Sequence, residues 1–286
     1  MSRAVDLLLD HLRAEQARGV ETVFLDEEAR EVLRDLHRRS VEAKKQRKSA
    51  APATGAAPAK AGTTGEVPAP AELRIEGTTA AERIASLREQ AGNWPPAKAL
   101  GSLRETMVFS TGDPEAELML VGEAPGHHEE RRQEPFVGPA GQKLNDILKA
   151  MGIERAAVYI SNIVKFRPAM PGQTTNNRKP TLDEMAACLP FVREEVKVVR
   201  PKCIVALGGT AAEGLLGLSG SVGGMRGRWH EFDGIPVRVT YHPAYLLHGK
   251  AALSDKRKIW EDMLEVMEKL GLPVSDKQRG FFLPKE

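Results

Sequence analysis

The chain has 286 residues and a 41% hydrophobic content, enough for one sizeable packed domain plus extensions. Its 41 basic and 39 acidic residues leave a formal charge of +2, so affinity for a polyanion must come from local patches. Its two cysteines, Cys188 and Cys203, exclude a disulfide framework and a four-thiolate metal site.

The opening stretch MSRAVDLLLDHLRAEQARG carries a short apolar patch broken by charges, unlike a signal peptide. No apolar run approaches the roughly 20 residues of a membrane span. A cytoplasmic, monomeric protein with no membrane association is therefore expected. Residues 1–45 read as a helical extension, with apolar positions at Val5, Leu8, Leu9 and Leu12 and again at Val32, Leu33 and Leu36. It is either a docking element for a protein partner or a dispensable solvated extension. Residues 46–77 are rich in Ala, Pro, Gly and Thr, cannot offset their ordering entropy, and are expected to form a disordered linker.

An α/β domain is expected over 78–275, with a short tail at 276–286. AERIASLREQA predicts a helix, and Leu118–Val121 a strand that ends in the Gly/Pro turn GEAPG. KLNDILKAMG predicts an amphipathic helix closed by Gly152. AVYISNIV predicts a second strand. A long helix follows, with Thr181 as N-cap and Pro190 as an internal kink. KCIVALGG and IPVRVTYHP predict the third and fourth strands around the short helix TAAEGLLG, and KRKIWEDMLEVMEKLG closes the domain. Alternating strands and helices predict a three-layer αβα sandwich with a mostly parallel, four-stranded sheet. In such sheets ligands bind beyond the carboxyl ends of the strands. GEAPG, Asn162, the LGG turn and His242 all fall at those ends.

No GxGxxG precedes a helix and no GxxxxGK[ST] is present, so neither phosphate-binding fingerprint of the nucleotide-binding α/β folds is met. Five blocks are informative together: LMLVGEAPG…EPFVGPAGQKLNDIL, VYISNIVKFRP, RPKCIVALGGTAAEGLLG, MRGRWHEF and TYHPAYLL. In this order they resemble the uracil-DNA glycosylase superfamily over roughly residues 100–270. The branch they are most similar to is the iron–sulfur one called family 4.

The resemblance implies a monofunctional enzyme that extrudes uracil from DNA and cuts its N-glycosidic bond, leaving an abasic site. The residues read independently agree with it. Phe136 can stack on a flat base, or be an ordinary core phenylalanine. Asn162 offers a donor and an acceptor, suited to uracil O4 and N3–H, or caps a turn. His242 can donate to the negative charge that develops on uracil O2, or be a satisfied buried histidine. Gly122, Ala124, Pro125 and Gly126 are expected to shape the base site. Ala124 occupies a slot where another branch places an aspartate, so water positioning is left open among Glu123, Glu129, Asn177 and a backbone carbonyl. His127 and His128 have no third partner for a metal. Tyr245, Leu246 and Leu247 are candidates to fill the gap left by an extruded base. Lys165, Arg167, Arg178, Arg226 and Arg228 are expected to grip phosphates, with Lys179 and the run Lys256, Arg257 and Lys258 adding to the rim.

Family 4 resemblance also implies a [4Fe–4S] cluster on four cysteines. Here the region SLREQAGNWPPAKALGSLRE has none, the position after NIVK is Phe166, and only Cys188 remains. No cofactor is expected, and Phe166 with Trp94 is expected to fill the space. A non-catalytic DNA-binding or damage-sensing module that keeps the pocket is the alternative function.

Overall fold

A computed structural model describes residues 73–247 and 253–283. The predicted helical extension, and the linker up to residue 72, lie outside the described residues. The described chain runs α1 (Ala80–Gly92), α2 (Pro95–Ala99), β1 (Leu103–Met107), β2 (Ser110–Gly112), β3 (Leu118–Gly122), α3 (His127–Arg132), α4 (Pro139–Met151), β4 (Tyr159–Asn162) and β5 (Phe166–Pro168). It continues with α5 (Leu182–Val199), β6 (Cys203–Leu207), α6 (Gly209–Leu216), α7 (Val222–Met225), β7 (Trp229–Phe232), β8 (Ile235–Thr240), α8 (Leu253–Lys269) and α9 (Asp276–Arg279).

The main sheet has six strands in the order β2-β4-β3-β6-β8-β7. The four predicted strands are its parallel centre, and β2 and β7 add an antiparallel strand at each edge. The expectation of four was short by those two. Strand β2 is only three residues long and has no periodicity to read. Strand β7 joins β8 through Asp233-Gly234, both at positive φ, and that Asp-Gly pair was the readable signal. A separate ribbon pairs β1 with β5 antiparallel.

Side chains alternate across the parallel strands and build two cores, which accounts for the three layers. Met119, Val121, Ile204, Ala206, Val237 and Val239 face one core with Leu87, Trp94 and Phe191 from α1, the turn before α2, and α5. Leu118, Leu120, Cys203, Val205 and Leu207 face the other with Leu144, Leu148, Trp260 and Met263 from α4 and α8. Thr181 caps α5 in a reciprocal box with Glu184, as the sequence predicts, and the helix runs through Pro190. Gly152 ends α4 in the left-handed conformation.

Two boundaries differ from the sequence reading. Leu73 and Ile75, assigned to the linker, pack against the first core, and the Arg74 amide donates to Gln90. The segment assigned as a tail forms α9 and docks. The Trp260 indole N–H donates to the Gln278 carbonyl at 2.6 Å, and Phe281 packs on Trp260.

Candidate active site

Beyond the carboxyl ends of β3, β4 and β8 lies a cavity of about 250 Å3, lined by Ala124, Phe136, Asn162 and His242 with residues of α3, the start of α4, and the loop before α5. It falls below the roughly 300–1,000 Å3 typical for drug-sized ligands, a scale that suits one small heterocycle. The parallel ladder sets the spacing: Gly122 pairs with Asn162, and the chain continues in step as the Ile163 amide donates to the Gly122 carbonyl at 3.0 Å. Gly208, at the end of β6, backs the site instead of lining it. A Cβ there would meet the His242 Cβ at 3.1 Å.

Bare Gly122 is what lets an amide and an aromatic ring share this space. A Cβ on it would sit 2.4 Å from Asn162 Oδ1 and 2.5 Å from Phe136 Cζ. Phe136 itself has φ 55°, a left-handed conformation costly for a bulky residue. Gly141 in the first turn of α4 permits it, because a Cβ there would run into the Phe136 carbonyl. The Phe136 and His242 rings lie 5.7 Å apart between centroids, inclined by 30°. Asn162 is buried.

Burial pushes the His242 imidazole down to about 4, against a smaller opposing pull from Glu129. It is therefore neutral at physiological pH. Its Nδ1 accepts the Ala244 amide at 3.2 Å, which fixes the tautomer with hydrogen on Nε2. The cavity thus holds a fixed donor on a neutral ring.

Glu129 lines the cavity; its Oε1 accepts the Val137 and Gly138 amides at 3.1 and 2.8 Å. Its Oε2 and the Asn177 Nδ2 both approach the bare Cα of Gly126, at 2.8 and 3.0 Å from where a Cβ would stand. Glu123 does not join them. Burial raises its pKa, opposed by a hydrogen bond from Thr210 and by the charge of Lys179, and these two partners line a separate hollow with Glu213 and Leu218. The expected role of Glu123 at the cavity is corrected accordingly. A turn after a strand decides which way its first side chain points, and sequence did not specify that turn. Ala124 and Gly126 line the cavity, whereas Gly122 and Pro125 are buried outside its lining. His127, His128, Thr175, Gly138, Pro139 and Ala140 also line it and were not singled out as site residues. The last three sit in the quoted EPFVGPAG block, which was their readable signal.

Most of the expected phosphate grip is structural. Lys165 is fully buried and paired with Glu195 at 2.6 Å. Arg167 is 1% exposed, with its donors spent on Asn177, Glu130 and the carbonyls of Thr174 and Asn176. Arg178 clasps Glu184 with both Nη atoms at 2.6 and 2.8 Å and also reaches the Ser102 and Ala169 carbonyls. Burial opposes ionisation of Glu184, but Arg178, Ser102 and the Thr181 amide outweigh it and hold the carboxyl below its ordinary range. Arg226 joins Arg238 on the buried Asp262. Lys165, Arg167 and Arg178 are corrected from the expected role, because a guanidinium or ammonium with its donors engaged in the protein has none left for a phosphate; Arg226 is corrected in part, with Nε on Asp262 and Nη2 on the Lys258 carbonyl. Arg228 and Lys256 remain exposed. The short 3-10 helix Pro243–Leu247 splits the three wedge candidates. Leu247 is 41% exposed and lines the cavity, Leu246 turns to a groove between α4 and α8, and Tyr245 stacks on Tyr241 at 5.0 Å.

Residues 109–264 match the uracil DNA glycosylase superfamily. The chain belongs to that superfamily. It is 38% identical over 168 residues to a type-4 uracil-DNA glycosylase of Thermotoga maritima, covering 58% of this chain and 82% of the relative. A type-4 uracil-DNA glycosylase of Pyrobaculum aerophilum is 36% identical over 167 residues, 56% of this chain and 82% of its own. A type-5 uracil-DNA glycosylase of the same organism is 30% identical over 154 residues, 47% of this chain and 64% of its own.

An iron–sulfur cluster of the kind the family 4 resemblance implies does not fit these residues. The sequence has two cysteines, and they face opposite sides of the sheet. Cys188 is buried against the same core as Trp94, Phe166 and Phe191, and burial pushes its thiol up to about 11. The Trp94 indole N–H donates to the Ala187 carbonyl at 2.7 Å, and its ring meets Phe191 edge-on at 4.9 Å. Aromatic packing therefore surrounds the single remaining thiol. Among the described residues, no group of three or more His, Cys, Asp or Glu could hold a metal ion. No described helix is long and apolar enough to cross a membrane.

Proposed function

We propose that the protein extrudes uracil from DNA and hydrolyses its N-glycosidic bond, leaving an abasic site, without an iron–sulfur cluster. The observation that carries this reading is the meeting of Phe136, Asn162 and a neutral His242 around one small cavity. The Phe136 ring stacks on the extruded base. Asn162 pairs with O4 and N3–H of uracil, a pattern that cytosine, with an amine at that edge, mismatches. As the bond between the sugar and N1 breaks, its electron pair passes into the ring toward O2, where His242 Nε2–H donates. A water then adds to the cationic sugar carbon and loses a proton to Glu129 or to solvent. The sugar is already strongly electrophilic in such a dissociative step, so a weak base suffices. Leu247, at the cavity rim, enters the space the base vacates.

The test is release of free uracil from a uracil-containing oligonucleotide by purified protein treated with chelator. Release from single- or double-stranded substrate supports the reading. Binding without release on either substrate overturns it in favour of a non-catalytic damage-sensing module. Absorbance in the visible iron–sulfur band would overturn the cluster-free part alone. Parallel arms with hypoxanthine and xanthine define the preferred base.

Gly122→Ala is expected to fold while losing most activity. Its Cβ falls well inside contact distance of both Asn162 and Phe136, so one must move, and displacements of about 1 Å can cost on the order of 100-fold in rate. Single-turnover kinetics beside a thermal melt separates this from unfolding.

A further inference from the structure

Arg167 lies behind the cavity, yet two segments of the cavity wall are fastened to it. Its Nε–H donates to Asn177 Oδ1 at 3.0 Å. One Nη donates to Glu130 Oε2 at 2.9 Å, and the other to the carbonyls of Thr174 and Asn176, both at 2.8 Å. Glu130 follows Glu129 on α3, and its second oxygen accepts from Arg104 at 2.5 Å. The planar fork of one buried guanidinium thus ties α3, which carries His127, His128 and Glu129, to the loop that carries Thr175 and Asn177. An ammonium has neither the reach nor the fixed directions to do the same.

The bond to Asn177 also has a chemical consequence. With Oδ1 held by Arg167, the amide cannot turn over, so its Nδ2 donor stays over Gly126, the position on which Glu129 Oε2 also converges. If the amide turned over, an acceptor would replace that donor over Gly126, on the side where the Glu129 carboxylate already supplies one.

We infer that Arg167 is a positioning residue that sets the polarity of Asn177 and locks the two halves of the cavity wall together. The donor–acceptor pair so fixed, Asn177 with Glu129, orients the hydrolytic water. The inference rests on the base-release reading for its catalytic consequence but not for its structural part. The same side chain holds the loop before Asn177, since two of that loop's carbonyls accept from it.

The experiment compares Arg167→Lys, Asn177→Asp, Asn177→Ala and the double variant Arg167→Lys/Asn177→Ala. Single-turnover uracil release and amide hydrogen exchange over residues 174–177 are read for each. Arg167→Lys is expected to speed exchange in that segment while the core strands stay protected. It should also slow release on the order of 100-fold, the effect of a misplaced positioning group. In the Asn177→Ala background the same change should cost little more, because groups acting through one another are not additive. Asn177→Asp keeps an acceptor for Arg167 Nε and removes the donor, so exchange should stay slow while release falls. An undiminished rate in Asn177→Asp, or a full additive loss in the double variant, overturns the polarity claim. Unchanged exchange in Arg167→Lys overturns the clamp itself. If the wild-type chain released no uracil, the base-release reading would fail, and the exchange arm would still judge the clamp.

Discussion

Replacing His242 by alanine is expected to slow uracil release by about 100- to 1000-fold, the range for removing one donor aimed at developing negative charge. Affinity for uracil-containing DNA should change little, because the donor is called on mainly as charge builds in the transition state. The pH dependence carries a second signature. The imidazole titrates at about 4 instead of 6.5, so the wild-type rate should stay level from slightly alkaline pH down to about 5 and fall only below that. Protonation puts a hydrogen on Nδ1, where the Ala244 N–H now donates, and two donors then face each other. For stability the sign is equally definite. The folded state has the depressed value, so between 6.5 and about 4 the unfolded chain binds more protons. The stability associated with neutral His242 is complete above 6.5 and is lost as pH falls through that window. His242→Ala should flatten this part of the stability profile while lowering the rate at every pH. A rate within a few-fold of wild type would show that the imidazole stands beside the reaction and not in it.

What could be read from the sequence was whatever depends on alternation and on position along a strand. The four parallel strands announce themselves as short β-branched runs, and a residue just past such a run lies at the ligand-binding edge. Asn162 and His242 are legible in the sequence on that ground, and the superfamily resemblance singles out the same two residues. Charged side chains are less legible, because nothing in a basic residue's own identity distinguishes a buried cation from an exposed one. Lys165 and Arg167 alternate with Val164, Phe166 and Pro168 in a segment that is buried throughout. The helical pattern of α5 held the missing clue. Glu195 sits among Phe191, Val192, Val196 and Val199 on the buried face of that helix. An acid on an apolar stripe requires a buried cation, and the sequence offers the cation without naming it. Glu123 and Glu129 could not be separated for another reason. Both follow the same strand closely, and only the path of the turn sends one toward Thr210 and the other into the cavity.

Lys165→Met should lower stability by about 3–5 kcal/mol, the usual cost of leaving one partner of a buried pair without the other. The ammonium has no exposed surface and sits 2.6 Å from both Glu195 Oε2 and Ser161 Oγ, with the Phe109 ring 4.8 Å away. Ser161 and Tyr159 also donate to Glu195. These two hydroxyls do not neutralise a carboxylate stripped of its cation, so the penalty falls on Glu195. Replacing both members, as in Lys165→Met/Glu195→Leu, should recover much of the loss, because an apolar pair carries no desolvation cost. The same pair of variants decides between the two roles Lys165 has been given. A phosphate-binding lysine would flatten the salt dependence of DNA binding by roughly one counterion on the logarithmic slope. A lysine whose work is inside the protein leaves that slope unchanged while the melt moves. Denaturant unfolding and salt titrations of both variants, made at a temperature where each is folded, read the two quantities separately. A normal melt with a shallower salt slope would return Lys165 to the DNA surface. The opposite pattern makes the buried pair a support for Asn162, which follows Ser161 on the strand that the pair holds in place.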